Sequence, residues 1–142
     1  MATKLLIVDK NAKTAEILAD YFDERGYDTD VATNDQDALN LLSEKIIRLV
    51  IIDLDTPSST PEMLLEKIRT DFPFTKLIAL ADRPSVVTAL DCVRNQAETL
   101  ILKPLDDLKE LEEALADARS NLERWNRKLS TIAKKKRAAS HI

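Results

Sequence analysis

Two aspartates and a lysine, Asp9, Asp53 and Lys103, each follow directly after a short run of apolar residues. A carboxylate held beside a lysine can act as a nucleophile toward a phosphoryl donor, while the ammonium neutralises the transferred oxygens. Asp53 is the strongest candidate nucleophile because residues 54–57 after it form a loop-like stretch that ends in proline. The alternative is a solvated aspartate that only terminates a strand.

Four apolar runs predict the strands that would position these side chains. Continuous Val, Ile and Leu runs of this length are typical of strands buried on both faces in a parallel sheet. The carboxyl ends of such strands share one edge, and ligands bind in the crevice there. We therefore expect Asp9, Asp53 and Lys103 to meet at one place, with Lys10 beside them. The four runs are residues 5–8, 49–52, 77–80 and 100–102.

A fifth segment, residues 27–33, alternates as expected of an edge strand, and segments with helical spacing separate the five, so the chain alternates strand and helix five times. This order favours a doubly wound α/β fold with right-handed crossovers. In the fourth helix, over residues 85–95, the spacing predicts that Val86, Ala89, Leu90 and Val93 face inward.

The last helix, expected over residues 108–137, carries a heptad pattern that is too long for a small domain. Apolar residues recur at alternating steps of three and four over 25 residues, which corresponds to roughly 37 Å of helix. An exposed stripe of this kind needs a partner helix, so we expect a homodimer and a frayed tail over residues 138–142. The predicted dimerisation residues are Leu115, Leu122, Trp125, Leu129 and Ile132.

Composition indicates one globular domain of 142 residues, of which 32% are charged, with a net charge of −4. The single cysteine, Cys92, cannot form an internal disulfide and is expected as a core thiol. No apolar stretch approaches the ~18 residues of a membrane span, so we expect a cytoplasmic protein with no membrane partner. The basic run 134–137 contains no aromatic residue, and we expect no nucleic-acid partner.

Taken together, residues 4–118 resemble a response-regulator receiver domain of two-component signalling. The resemblance rests on the order of five landmarks. They are Leu5-Leu6-Ile7-Val8-Asp9, Gly26-Tyr27, Ala32, the Asp-x-x-x-Pro loop at 53–57, and Lys103-Pro104.

The resemblance implies a flavodoxin-like (βα)5 fold with parallel sheet order 2-1-3-4-5, over a receiver-like domain of residues 1–118. It implies that Asp53 is the phosphoacceptor, that Asp9 belongs to the acidic pocket and that Lys103 contacts the phosphoryl group. The peptide bond before Pro104 is expected in cis. The implied donor is a histidine kinase or a phosphotransfer protein, and the protein itself is not expected to be an enzyme.

The sequence departs from the family pattern at three functional positions. Lys10 replaces the second acid, which in the family is a Mg²⁺ ligand. Ala81 replaces the hydroxyl residue after the fourth strand, and Leu100 replaces the switch aromatic. The resemblance therefore implies a degenerate metal pocket and a degenerate switch.

Position 10 also decides what the sequence predicts about Mg²⁺. Asp9 and Asp53 could still hold a hydrated ion, which needs few protein ligands. The Lys10 ammonium would compete for the same place, so we expect weak Mg²⁺ binding at most. The alternative is that Lys10 extends into solvent.

Two functions follow from these observations. The first is a response regulator in a phosphorelay that receives a phosphoryl group on Asp53. The second is a pseudo-receiver that acts without phosphorylation as a protein-interaction and dimerisation module.

Overall fold

In a computed structural model, residues 2–56 and 60–140 form five strands and five helices that alternate along the chain, as the sequence predicts. None of these helices is long and apolar enough to span a lipid bilayer. The strands are β1 (Thr3–Val8), β2 (Tyr27–Ala32), β3 (Leu49–Asp53), β4 (Lys76–Ala81) and β5 (Thr99–Leu102). The helices are α1 (Ala12–Asp23), α2 (Asp35–Glu44), α3 (Pro61–Asp71), α4 (Val86–Arg94) and α5 (Lys109–Ser140).

All five strands lie parallel in one sheet with the order β2-β1-β3-β4-β5, which confirms the expected topology. The register places Val8 at the end of β1 opposite Ile52 of β3 and Ala32 of β2. Asp53, the last residue of β3, lies opposite Leu80 of β4. The carboxyl ends of β1 and β3 therefore end almost level, which brings the residues that follow them to the same edge.

Alternate residues of the strands point to opposite faces and form two apolar cores. One core joins residues such as Val50 and Ile52 to α2, α3 and Cys92 of α4. The other joins residues such as Ile51 to α1 and to the first half of α5. Cys92 is 4% exposed, as expected for a core thiol, and burial raises its pKa.

Capping side chains mark the starts of α1 to α4. The Asn11 carboxamide oxygen accepts hydrogen bonds from the backbone N–H groups of Lys13 and Thr14, which satisfies donors that an α-helix leaves free. Asn34, Thr60 and Ser85 cap α2, α3 and α4 in the same way.

The orientation of α4 differs from the sequence-based prediction. Val86, Leu90 and Val93 were expected to face inward, but they are 77%, 53% and 74% exposed. The buried side of α4 carries Asp91 and Cys92 instead. The polar groups on this side explain the reversal, because the Asp91 carboxylate accepts a hydrogen bond from Arg94 at 3.1 Å, and a paired carboxylate tolerates burial.

The first half of α5 is part of the domain. Leu111, Leu115 and Ala118 are at most 1% exposed and pack against the sheet. Glu112 adds polar contacts, since it accepts hydrogen bonds from Tyr21 of α1 and from Arg25 in the turn after α1. Leu115, which the heptad pattern placed on the dimerisation face, is therefore enclosed by the core of its own chain.

The second half of α5 extends beyond the domain. The helix begins one residue later and ends three residues later than the expected 108–137, at Ser140. Leu122 is half-buried, and Trp125, Leu129 and Ile132 are 57%, 56% and 61% exposed. Residues 138–140 of the expected frayed tail are helical, and residues 141 and 142 lie outside the described part of the chain.

Only the first half of α5 is buried. We therefore expect substitutions of two leucines on the same heptad seam to change the free energy of unfolding by different amounts. Leu115→Ala removes a fully buried side chain and should lower the free energy of unfolding by about 2–5 kcal/mol. Leu129→Ala, the matched exposed variant, should change it by no more than about 0.5 kcal/mol. Urea denaturation at low micromolar protein concentration measures both, and equal losses would contradict the division.

Candidate functional site

The carboxyl-terminal edge of the sheet brings together the three residues that the sequence singled out. Asp9 follows β1, Asp53 ends β3 and Lys103 follows β5. Asp9 and Asp53 are buried, with 6% and 3% of their surfaces exposed. The Lys103 ammonium lies 2.8 Å from Oδ2 of Asp53. This pair forms the centre of the site.

Both oxygens of Asp53 have hydrogen-bond partners. Oδ1 accepts from the backbone N–H of Asp55 at 2.9 Å, and Oδ2 accepts from Lys103. Each oxygen has further lone pairs, because a carboxylate offers about four acceptor sites. Asp53 is thus fixed in orientation while lone pairs remain available for chemistry.

Lys103 bridges two carboxylates rather than one. Its ammonium also lies 3.2 Å from Oδ2 of Asp55, whose side chain is 38% exposed. Burial lowers the pKa of Lys103, but the hydrogen bonds to Asp53 and Asp55 outweigh burial and raise it above its ordinary value. Conversely, burial raises the pKa of Asp55, but the Lys103 hydrogen bond and the Asp82 backbone N–H lower it overall. Sequence reasoning missed this role of Asp55, although its place in the loop was visible.

Within residues 2–56 and 60–140, Asp9 forms no salt bridge with a lysine or an arginine. Its Oδ1 accepts a hydrogen bond from the Asn11 backbone N–H at 2.9 Å, which holds the carboxylate at the start of α1. Burial raises the pKa of Asp9, and the neighbouring Asp53 carboxylate raises it further against the lowering effects of Asn11 and Lys103. The pocket therefore carries negative charge that Lys103 only partly neutralises.

Lys10 lies at the rim of the site with an exposed side chain. Its backbone N–H donates to the Thr56 hydroxyl at 2.9 Å, which ties the β1 end to the loop after β3. Among the ion pairs of residues 2–56 and 60–140, none involves the Lys10 ammonium, and the partner of Asp53 is Lys103. Thr56, which the sequence analysis did not single out, is a buried member of this edge.

The two positions that the resemblance assigns to the switch, Ala81 and Leu100, are apolar in the structure. Ala81 ends β4 and is 2% exposed, and its carbonyl accepts the backbone N–H of Lys103 at 2.8 Å. Leu100 is half-buried on β5 and packs against the core on the α2–α4 side. The Lys103–Pro104 peptide bond is cis, as expected. Pro57, the last residue of the Asp-x-x-x-Pro loop, lies outside the described residues.

Whether these residues fit Mg²⁺ depends on how many carboxylates converge. Within the described ranges, no three His, Cys, Asp or Glu side chains group so as to hold a metal ion. The Asp53 carboxylate is nevertheless close enough to Asp9 to contribute to its raised pKa. Two carboxylates suit Mg²⁺, which keeps several of its waters in protein sites. The site therefore fits a hydrated ion with two protein ligands.

Comparison with known proteins gives the same family. Residues 5–116 match the response regulator receiver domain. An NtrX-like response regulator from Rickettsia bellii is 30% identical over 107 residues, which are 74% of this chain and 22% of that protein. The regulatory protein LuxO from Vibrio vulnificus is 24% identical over 100 residues, which are 70% of this chain and 22% of that protein. The chain thus spans about a fifth of the length of these relatives.

Solved structures agree on the fold. A CheY-like receiver domain from Methanospirillum hungatei superposes with a TM-score of 0.82 at 21% identity, covering 87% of this chain and 98% of that one. NtrX from Brucella abortus, in a complex with ATP, gives a TM-score of 0.79 at 22% identity, covering 93% of this chain and 30% of that one. The chain belongs to the response regulator receiver domain family, whose members are in general signalling modules rather than enzymes.

The raised pKa of Asp9 predicts a pH-dependent effect of Asp9→Asn. An acid with a higher pKa in the folded than in the unfolded state destabilises the fold as it ionises, so the cost appears as pH rises above 3.8. Asp9→Asn keeps the oxygen that accepts from Asn11 and removes this cost.

Urea denaturation should therefore show Asp9→Asn more stable than the wild type at pH 7, with a smaller difference at about pH 4. Glu66→Gln, which removes an exposed carboxylate on α3, is the control and should show no such trend. A difference between Asp9→Asn and wild type that grows as pH falls would contradict the raised pKa.

Proposed function

We propose that this receiver domain accepts a phosphoryl group on Asp53 from a phosphohistidine on a histidine kinase or a phosphotransfer protein. The observation that carries the proposal is the buried Asp53 carboxylate with the Lys103 ammonium 2.8 Å away. Its single cysteine suits a reducing compartment, so we place the exchange in the cytoplasm.

The transfer uses the chain's own residues in defined roles. An Asp53 oxygen forms a bond to phosphorus as the phosphorus–nitrogen bond of phosphohistidine breaks, and the released imidazole nitrogen takes up a proton. Phosphoryl transfer depends mainly on positioning and charge neutralisation. The Asp55 backbone N–H positions Asp53, and Lys103 supplies a positive charge for the transferred oxygens.

Asp9 and Asp53 are the residues that would hold Mg²⁺, which supplies further charge neutralisation when it is bound. Lys10 stands where the family has another acid, so the site has one carboxylate fewer and one positive charge more. Among the described residues the exposed Lys10 side chain forms no salt bridge with Asp9 or Asp53, but its charge helps to lower the pKa of Asp55 and would oppose the binding of a cation. We therefore propose slow phosphorylation that needs a high Mg²⁺ concentration.

The response to phosphorylation is proposed to be small. Ala81 has no hydroxyl to donate to a phosphoryl oxygen, and Leu100 is a packed aliphatic side chain rather than a switch aromatic. The coupling between the Asp53 edge and the rest of the fold thus lacks both of these groups.

A second candidate function is that of a phosphorylation-independent interaction module. The observation that favours it is the extension of α5, by which we mean residues 119–140, since the family match ends at residue 116. Trp125, Leu129 and Ile132 give this extension an exposed apolar stripe. We propose that the protein self-associates through this stripe, with Leu122 at its base and without Leu115.

Acetyl phosphate or beryllofluoride with Mg²⁺ tests the phosphoacceptor. With acetyl phosphate we expect intact-mass spectrometry to detect one added phosphoryl group in a minor fraction of the wild type and none in Asp53→Asn. Binding of beryllofluoride, which mimics a phosphoryl group without transferring one, is followed by the amide chemical shift of Asp53. Asp55→Asn, which changes the neighbouring carboxylate in the same loop, should keep the modification. If Asp53→Asn is still modified, the phosphoacceptor is another residue. If the wild type forms no adduct with either reagent, the interaction module remains as the proposed function.

Lys10→Asp tests the account of the metal site. The variant adds a carboxylate at the rim beside Asp9 and removes a positive charge, so Mg²⁺ affinity should rise by about tenfold or more. Amide chemical shifts of Asp9 and Asp53 during a Mg²⁺ titration measure the affinity. Lys135→Asp makes the same charge change on the exposed extension and should leave the affinity unchanged. An unchanged affinity in Lys10→Asp would show that position 10 does not limit ion binding.

A further inference from the structure

The extension of α5 combines an apolar stripe with a dense positive charge. Trp125, Leu129 and Ile132 are 57%, 56% and 61% exposed. Residues 119–140 contain eight Lys or Arg and one Glu, a net of +7, whereas residues 1–118 contain 13 Lys or Arg and 24 Asp or Glu, a net of −11. The extension and the residues before it therefore carry opposite net charges.

The positive charge is densest in the last four turns of the helix. Residues 127–140 contain six Lys or Arg and no Asp or Glu, and these six cationic side chains are exposed. The single acid of the extension, Glu123, lies nearer the domain and contacts Arg119 at 3.4 Å. The segment 134–137 places four cations in succession, so they surround the helix over about one turn. The distal turns thus carry no charge that would repel an anionic partner.

Apolar and cationic side chains share one side of the extension. Four of them follow one another at steps of three, four and three residues, so they lie along one side of the helix. We call this set the lateral face, and its members are Trp125, Lys128, Ile132 and Lys135. At about 3.6 residues per turn, the lateral face lies opposite Glu112, which accepts a hydrogen bond from Tyr21 of α1. The lateral face therefore points away from α1.

A shallow open groove of about 740 Å³ runs along the extension. The described residues that line it all belong to α5, and none of them is Asp or Glu. They include three members of the lateral face together with Arg124 and Arg127. Nζ of Lys128 lies 5.6 Å from the centre of the Trp125 ring. One flat partner can therefore contact the aromatic ring and several cations at once.

We propose that the lateral face docks on an anionic lipid surface, with Trp125 and Ile132 at the boundary between the headgroups and the acyl chains. A helix with apolar residues beside Lys and Arg lies on such a surface without crossing it. Tryptophan is favoured at this boundary because its ring is apolar and its N–H is polar. Groups of about four to eight Lys or Arg on such a helix are typical of binding to anionic lipids.

The proposal goes beyond both candidate functions, because it gives the extension a lipid partner. The expectation of no membrane partner rested on the lack of a segment apolar enough to span a bilayer, and a helix that lies on a surface needs no such segment. The acidic domain does not prevent the contact. The extension is about 33 Å long, and this length exceeds the screening length of about 10 Å at 0.1 M salt.

Two other partners suit the extension less well. A second extension would bring two segments of net charge +7 together, and like charges across an interface oppose association. A nucleic acid would pair its phosphates with the cations, but it offers Leu129 and Ile132 no apolar environment. An anionic bilayer accepts both the charges and the apolar side chains, so the observations favour it. Self-association and lipid binding both use Trp125, so each excludes the other.

Lipid vesicles test the proposal, and Trp125, the only tryptophan of the chain, reports the contact through its fluorescence. Vesicles of phosphatidylcholine with about 30% phosphatidylglycerol, an anionic lipid, should shift the emission of Trp125 to shorter wavelength. They should also carry the protein into the pellet on ultracentrifugation. Vesicles of phosphatidylcholine alone should do neither.

Charge reversal on the lateral face should weaken vesicle binding. The double variant Lys128→Glu/Lys135→Glu should lower the affinity by about a hundredfold or more, since each cation near an anionic surface contributes about fivefold and a reversal counts twice. The matched control is Lys13→Glu/Lys109→Glu, which makes the same change in net charge on exposed side chains of the domain. This control should bind the anionic vesicles as the wild type does.

A second pair of variants tests the apolar part of the contact. Ile132→Glu should lower the affinity for anionic vesicles by about tenfold or more, because it removes an apolar side chain from the lipid boundary. Ile17→Glu changes an equally exposed isoleucine of α1, and it should bind like the wild type. All substituted side chains are exposed, so the variants should fold, and circular dichroism checks this.

Three results would overturn the proposal. They are equal binding to neutral and anionic vesicles, unchanged binding of Lys128→Glu/Lys135→Glu, and tighter binding to mixed-sequence duplex DNA than to anionic vesicles. The third would indicate a nucleic-acid partner. Sedimentation velocity without vesicles detects self-association separately. Every variant keeps Asp53, so these results are independent of the phosphoacceptor assignment.

Discussion

The arrangement of this edge depends on the ion pairs that the Lys103 ammonium forms with Asp53 and Asp55. Parallel strands deliver Asp9 and Asp53 to one buried place, and the loop after β3 adds Asp55. Buried carboxylates are costly unless they are paired. Lys103 reaches Asp53 and Asp55 at once, and its backbone is fixed by the carbonyl of Ala81. One cation thus serves two of the three carboxylates, and the third carries the raised pKa.

Because one lysine faces three carboxylates at this edge, the charge of the residue at position 10 matters. A receiver with an acid there has more negative charge at the edge and a stronger demand for a divalent ion. Here Lys10 adds a positive charge at the rim, where its exposed side chain helps to lower the pKa of Asp55.

The sequence alone predicted the structure correctly where a single physical rule determines it. Buried apolar runs predicted the parallel strands, and strand polarity alone predicted that Asp9, Asp53 and Lys103 meet.

The sequence was insufficient where two physical rules compete. Apolar spacing placed Val86, Leu90 and Val93 inside, yet α4 buries Asp91, whose carboxylate and backbone carbonyl accept hydrogen bonds from Arg94 and Asn95. Likewise, the heptad pattern cannot reveal that Leu115 is used by the core and Leu129 is not, because both occupy the same seam. Asp55 and Thr56 were missed because their roles depend on the path of the loop in three dimensions.

The continuity of α5 has a mechanical consequence. The anchored half of the helix lies against β3, β4 and β5, the strands that carry or precede Asp53, Ala81 and Lys103, and no break separates it from residues 119–140. At about 1.5 Å per residue the free arm is about 33 Å long, so a tilt of about 5° at its base moves its tip by about 3 Å. Any tilt of the helix at the sheet would therefore be magnified into a larger displacement of its distal end.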